Sequence, residues 1–403
     1  MVAGRIDSVV RAGLCVGCGA CTSAGVVGAP AHMALSPAGF LRPVFKAPLT
    51  EAEDARAAAL CPAVRLELEP QAPLHPEWGP LLAVRTGWAL DADVRFRGSS
   101  GGVLSALMIH LLESGQVQFV AHVAASAHDP LRSERRISRN RAEVLTGAGS
   151  RYAPAAAAVA LETLFASGER FAFVGKPCDV AALRAYVQQR PQLQPQLVLA
   201  ASFMCAGVPS QHGTNEVLAA LGSVAGEVVH FQYRGNGWPG YATARTRDGN
   251  EARMDYNRSW GQLLGPRLQL RCKLCPDGTG EFADLVCADA WYGKDGYPDF
   301  DEQDGRSLLI TRTPRGESLV LAAMAAQAVV ALAAEADDIS GMQPYQVTRK
   351  RVVLGRWLAV GLRTGVWPRF RGLHLRAALW RGGVMPALRN AWGTFKRVGR
   401  VGV

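Results

Sequence analysis

Residues 14 to 25 read LCVGCGACTSAG, and three of them, Cys15, Cys18 and Cys21, are spaced so that one short loop can turn three thiolates inward. Thiolates are soft ligands. A Cys-x2-Cys-x2-Cys run lets them grip three iron corners of a cubane cluster, while Gly17 and Gly19 let the backbone wrap around it. A cubane needs a fourth ligand, and in bacterial two-cluster runs the last cysteine precedes a proline and serves the other cluster. A remote Cys-Pro pair therefore suits as closure. ALCPAV supplies one at Cys61, the only other cysteine before residue 178. Cys15, Cys18, Cys21 and Cys61 are expected to hold one 4Fe-4S cluster, with a zinc site or a cluster with an open iron corner as alternatives.

Five further cysteines follow: Cys178 in GKPCD, Cys205 in FMCAG, Cys272 and Cys275 in RCKLCP, and Cys287 in LVCAD. A lone Cys-x2-Cys serves zinc, redox disulfides and clusters alike. Joined to two cysteines in loops at strand ends, it makes a second four-thiolate site from Cys178, Cys205, Cys272 and Cys275. Cys287 lies between Val286 and Ala288 in a strand-like run and is read as a buried apolar thiol.

The elements that must position these groups alternate in an α/β manner. VRFRGSSGGVLSALMIHLLESGQVQFVAHVAA is a glycine turn, a helix and a strand. AAAAVALETLFASGE is expected as helix, RFAFVG as buried strand, KPCD as turn, VAALRAYVQQ as helix and LVLAASFMC as strand. In open α/β sheets ligands gather at the carboxyl ends of strands, where Gly175 to Cys178 and Cys205 to Gly207 fall. From about Val228 short alternating runs predict antiparallel strands. The run 318 to 336, SLVLAAMAAQAVVALAAEA, approaches membrane-spanning length but is mostly alanine, with Gln327 near its middle, and is read as a buried helix.

Four regions follow: an iron-sulfur module over 1–75 ending in the Pro-rich linker EPQAPLHPEWGP, a region over 80–165, a second over 166–340, and a tail over 341–403. The fold class expected is α/β (α+β). At 403 residues the chain can bury a core without staples. The N-terminus has no apolar signal core, so the default location is cytoplasmic. Nine cysteines in a reducing compartment favour metal ligation over disulfides.

The net charge of +10 is uneven. From Arg349 onward there are 13 Lys or Arg and no Asp or Glu, whereas the preceding 348 residues carry a net of −3. The tail also holds four of the nine tryptophans. It suits an anionic membrane surface, at the inner face of the membrane, or an acidic partner such as ferredoxin; a helical pair packed on the body is the alternative. No recognised nucleic-acid-binding motif accompanies the charge, so nucleic acid is not an expected partner.

With CVGCGAC, GSSGGVLSALMIHLLESG, GSRYAP, FVGKPCDVAALR, FMCAGVPS, YRGNGWPGY and RCKLCPDGTGEFADLVCADAWYG in this order, the chain resembles the beta subunits of coenzyme F420 hydrogenase and dehydrogenase. That family includes chlorophyll-type reductases. The resemblance implies FAD and one or two 4Fe-4S clusters; with both cysteine sets, two clusters are expected. It places a flavin on Ser99, Ser100, Gly101 and Gly102, on Gly149, Ser150, Arg151 and Tyr152, and on Gly175 and Lys176. Glycine turns opening a helix do present N–H groups to a pyrophosphate. An ordinary helix N-cap is the alternative for GSSGG alone. The family's pattern is matched at Asp284, Asp289 and Trp291 but departs at Cys287.

Clusters move single electrons, and a flavin can collect two and deliver a hydride. The implied activity is an oxidoreductase passing electrons from a ferredoxin-like donor through the Cys15 and Cys178 sites to FAD. The acceptor is a small organic substrate: a deazaflavin, a tetrapyrrole or a compound of a polysaccharide pathway. An electron-transfer subunit of a larger complex and a zinc-stabilised binding module without redox chemistry are the competing readings, and a homo-oligomer stays open. Asp179, Tyr152 and Tyr241 are candidate proton donors, and His110 is expected to pack inside its helix.

Overall fold

The computed structural model describes residues 5–69, 74–294 and 297–398. Residues 70–73 of the expected linker, the first four residues and the last five of the tail lie outside them. Eight strands form one mixed sheet: β1 (Ala83–Ala89), β2 (Phe119–Ala125), β3 (Ser133–Ser138), β4 (Phe171–Gly175), β5 (Leu197–Phe203), β6 (Leu285–Asp289), β7 (Ser307–Thr311) and β8 (Val329–Ala333). Their order is β8-β1-β7-β6-β5-β4-β2-β3. β2, β4, β5 and β6 are parallel neighbours, and every other pairing is antiparallel.

Strands such as FAFVG and LVLAASF are almost wholly apolar because both faces are covered. Phe171, Phe173, Ala200 and Val286 point to one face, where α3 (Pro177–Gln188) and the cysteine-bearing N-terminal module pack through Val180, Leu183, Leu14 and Leu60. Ala172, Leu199, Ala201, Leu285 and Cys287 point to the other. There α2 (Val103–Glu113) and α4 (Pro314–Ala325) contribute Val103, Leu107, Leu319 and Val320. The alternation is that of a pleated strand, period two.

The N-terminal module holds a hairpin, Ala31–Leu35 with Leu41–Phe45, and α1 (Glu51–Leu60). A capping box of Thr50 and Glu53 starts α1, satisfying two backbone N–H groups, and Cys61 is its C-cap residue. A three-stranded antiparallel sheet of Val228–Gln232, Ala242–Thr246 and Glu251–Met254 bears out the expected change of pattern. The tail forms α5 (Pro344–Thr364), α6 (Leu375–Gly382) and α7 (Val384–Val398). Its short strand Arg369–Arg371 pairs in parallel with Arg65–Glu67.

Three expectations are corrected. The run 318–336 is not one helix: α4 ends at Ala325, Gln327 turns the chain with φ +56°, and Val329–Ala333 becomes edge strand β8 on β1. Pairing with the sheet overrides alanine's helix propensity there. In 155–169 only Glu162–Phe165 is helical. The alanines before it lie against the cysteine loop, Ala158 N–H donating to Cys18 O at 2.9 Å and Leu161 N–H to Ser23 Oγ at 3.0 Å. The described end of the linker is not free, since Glu77 and Trp78 are buried and Trp78 O accepts from Arg312 Nη1 at 2.6 Å.

Candidate functional site

Cys15, Cys18, Cys21 and Cys61 line one small apolar cavity together with Ile6, Val9, Met33 and Pro43. α1 delivers Cys61 at its end, and the loop delivers the other three. Gly19 adopts φ +90°, and a Cβ there would meet Val159 Cα at 2.9 Å, so only glycine lets the loop turn this close to the alanine segment. Gly17 N–H donates to Cys15 Sγ at 3.4 Å. Burial pushes all four thiols up, Cys61 to about 11, with neighbouring thiols adding to it at Cys18, Cys21 and Cys61 and Arg42 opposing it at Cys15. Protons held this way are released when a metal group is ligated.

The second group is also gathered. Cys205 follows β5, while Cys272 and Cys275 sit in and just after the turn Leu270–Lys273. Burial and then Cys272 push the Cys205 thiol up to about 12, with Cys275 contributing too. Val208 N–H and Gln269 Nε2 both donate to Cys272 Sγ at 3.4 Å. Cys178 lies in the first turn of α3, its thiol held well up by burial and by Asp179, with Cys205 and Cys18 adding to it. Cys178 thus senses a thiol of each group. Among the described residues no three His, Cys, Asp or Glu side chains are gathered for a single metal ion. Thiolates on a cubane stand farther apart than the ligands of a single ion, and here four thiols line one cavity.

A cavity of about 830 Å³ opens at the carboxyl ends of the parallel strands, walled by His122, Gly175, Phe203, Cys205 and Asp289. Nine of the ten residues expected to cradle a flavin line it: Ser99, Ser100, Gly102, Gly149, Ser150, Arg151, Tyr152, Gly175 and Lys176. Gly101 does not. Its N–H donates to Ser307 Oγ at 2.9 Å, and it packs against β1 and β7. The N-terminus of α2, from Gly102 to Leu104, faces the cavity, so the orphan N–H groups of a helix start meet a ligand-sized space. Gly149 has φ +93°, and a Cβ would lie 2.5 Å from Arg234 O.

Two expected basic contacts are already engaged. Arg151 donates to Ser133 Oγ and to the carbonyls of Pro130, Arg132 and Phe231, at 2.9 to 3.1 Å, making it a strut of the cavity wall. Lys176 Nζ reaches Asp179 Oδ2 at 2.7 Å and Ala155 O at 3.1 Å. Burial pulls its ammonium down, but the Asp179 carboxylate outweighs this and keeps it charged. Asp179 is therefore one half of a buried ion pair. Tyr241 is exposed and does not line the cavity. His110 packs within α2, as expected.

Sequence reasoning assigned no role to the charged and aromatic floor of the cavity. Arg234 donates to Asp289 twice, at 2.9 and 3.0 Å, and to the carbonyls of Ser99 and Pro239 at 2.6 and 2.8 Å. Its guanidinium lies over Tyr256 and Trp291. Trp238 Nε1 donates to Asp289 at 2.7 Å and stacks on Trp291 with centroids 4.7 Å apart. Burial pulls Arg234 down, but Asp289 more than reverses it and holds it charged. The clue was present, because Arg234 and Trp238 lie in YRGNGWPGY, and Asp289 and Trp291 in ADAWYG. His122 was missed entirely. It is buried on the cavity wall with Nε2 2.7 Å from Ser138 Oγ, and burial lowers it to about 4, so it is neutral.

A ligand-sized cavity at the carboxyl ends of parallel strands, with Cys205 on its wall, and a separate four-cysteine cavity define a cysteine-rich α/β protein with room for a sizeable ligand. The model described as coenzyme F420 hydrogenase/dehydrogenase beta subunit N-term matches residues 84–162, and that described as its C terminus matches 168–337. Together they span more than half of the chain, which belongs to the coenzyme F420 hydrogenase/dehydrogenase beta subunit family, a family of electron-transferring oxidoreductases. Among solved structures, a chain of the F420-reducing NiFe hydrogenase complex from Methanosarcina barkeri is similar in fold. It is 18% identical, with TM-score 0.54, over 71% of this chain and 95% of that chain. Comparison with curated proteins gave no match. Both family matches end before α5 begins.

Proposed function

We propose that the protein is an iron-sulfur flavoprotein oxidoreductase that passes electrons between a protein partner and a small organic substrate. One observation carries this: the two cysteine groups and the large cavity are contiguous. Cys178 feels the charge of Cys18 in one group and of Cys205 in the other, and Cys205 also lines the cavity. Cys15, Cys18, Cys21 and Cys61 would hold one 4Fe-4S cluster, and Cys178, Cys205, Cys272 and Cys275 a second. The cavity would hold FAD, which supplies the change from one-electron to two-electron chemistry.

The chain's own residues do the rest. Arg234 fixes the Ser99 carbonyl and so the turn entering α2. Lys176 keeps a positive charge at the cavity end nearest the cysteines. Phe203, Trp260 and Trp291 wall it with apolar and aromatic surface, which limits water. His122, neutral, adds no charge of its own to the wall at neutral pH.

Anaerobic purification followed by iron, sulfide and flavin analysis tests the reading. About eight iron and one flavin per chain are expected, and Cys61→Ser should remove about four of the iron atoms. A colourless, zinc-containing protein would overturn it. Turnover of the isolated chain with reduced ferredoxin and oxidised coenzyme F420 then separates a self-sufficient reductase from a subunit that needs partner chains.

A further inference from the structure

We propose that α5, α6 and α7 form a docking surface for an anionic lipid bilayer. The three helices are fixed to one another and to the body. Gly355 lets α7 approach so closely that a Cβ would lie 2.3 Å from Ala387 O. Arg356 donates to Asn390 Oδ1 at 2.7 Å, and Trp357 Nε1 donates to Pro368 O at 2.8 Å. The inner face is anchored by Val353, Ala359, Val360 and Ala378, all buried.

The outer face has no such cover. Leu358, Leu362, Trp380, Met385, Leu388 and Trp392 are exposed, Leu362 by 66%, Trp380 by 74% and Trp392 by 61%. At 100° per residue Leu358 and Leu362 share one face of α5, while Leu388 and Trp392 share one face of α7. Six large aromatic and aliphatic side chains exposed within three helices packed on one another exceed the ordinary scatter of surface hydrophobics.

Charge names the occupant. Among the described residues the tail's ion pairs are Lys350 with Glu281 and Arg351 with Glu77, both at the body end. Beyond them the sequence has no Asp or Glu, and Arg376, Arg381, Arg389, Lys396 and Arg397 are exposed. Lys396 Nζ lies 4.7 Å from the Trp392 ring centroid. Tryptophans flanked by long cationic side chains match the two layers of a bilayer interface. The rings and aliphatic groups enter the headgroup and acyl boundary, and Lys and Arg reach lipid phosphates. An acidic protein surface would answer the charge but leave much of this apolar area unexplained. No helix of the described residues is long and apolar enough to cross a membrane, so the contact is peripheral.

Vesicle flotation of the full chain tests this, using phosphatidylcholine vesicles with and without about one third phosphatidylglycerol. Binding is expected only with the anionic lipid, with a blue shift of tryptophan emission. It should fall about tenfold for Trp380→Ala/Trp392→Ala and for Arg389→Glu/Lys396→Glu. The altered side chains are exposed, so circular dichroism and thermal unfolding should stay unchanged; Leu388→Gln gives an independent single-site check. Equal flotation with and without anionic lipid, or full binding by the double tryptophan variant, overturns the proposal. So does binding to an acidic ferredoxin, abolished by the same variants, with vesicles ignored.

Discussion

The ion pair of Arg234 and Asp289 should be the most sensitive point of the cavity. The Arg234 side chain is 2% exposed and that of Asp289 20%, so Asp289→Ala strands a buried guanidinium whose remaining partners, carbonyls, a hydroxyl and two ring faces, carry no full negative charge. Removing one member of a buried pair costs about 3 to 5 kcal/mol, and the partial exposure of Asp289 puts this case near the lower end. Trp238 Nε1 loses its acceptor as well, worth about 1 kcal/mol. The expected loss is about 4 kcal/mol in urea unfolding, followed in parallel by tryptophan fluorescence and circular dichroism. Asp289→Asn, which keeps an oxygen for Trp238, should lose less. Pairing Arg234→Met with Asp289→Leu should recover part of the loss, because an apolar pair leaves no stranded charge, and the double-mutant cycle should be non-additive. The same pair holds the Ser99 carbonyl, so flavin content should fall with stability in Asp289→Ala. Additive single variants, each within about 1 kcal/mol of the parent and with flavin content intact, would refute the reasoning.

His122 makes an acid-side prediction. Its folded value, about 4, lies below its ordinary 6.5, so the folded state binds this proton less readily than the unfolded chain does. That stability is present above pH 6.5 and is lost as pH falls towards 4, about 3 kcal/mol in all. His122→Gln should flatten this limb of the stability profile; an unchanged profile would count against a neutral His122. Arg349, from α5, donates to Cys205 O at 2.7 Å; burial pulls it down, but Cys275, then Tyr345, with Cys205 and Cys272 adding, hold it above its ordinary value. A cation there favours a more negative cluster, so Arg349→Gln should move the second site's reduction potential to more negative values in an EPR-monitored titration. An unmoved potential would place Arg349 in a purely structural role.

Much of the site was legible because it is local. Cys15, Cys18 and Cys21 are close in sequence, and glycines at 17 and 19 prescribe the turn whatever surrounds it. Central strands announced themselves as short apolar runs, and their carboxyl ends marked where a ligand space would open. Of the serine and glycine turn before α2, expected to carry a flavin, all but Gly101 line the cavity; the Gly101 N–H is taken by Ser307, a residue 206 positions away.

What tertiary structure alone decided were the relations between distant segments. The run at 318–336 has the composition of a helix, and only an open edge of β1 turned its second half into β8. The alanines at 155–161 gave up helix for close contact with the Cys18 loop. Arg234 and Asp289 carry no mark of their pairing 55 residues apart. Arg349, outside the family matches, reaches the second cysteine group only because α5 packs back onto the body. Spacing in the chain encodes which groups share a turn; burial and charge between remote elements depend on which surfaces meet, and that is settled only when the sheet and its layers have packed.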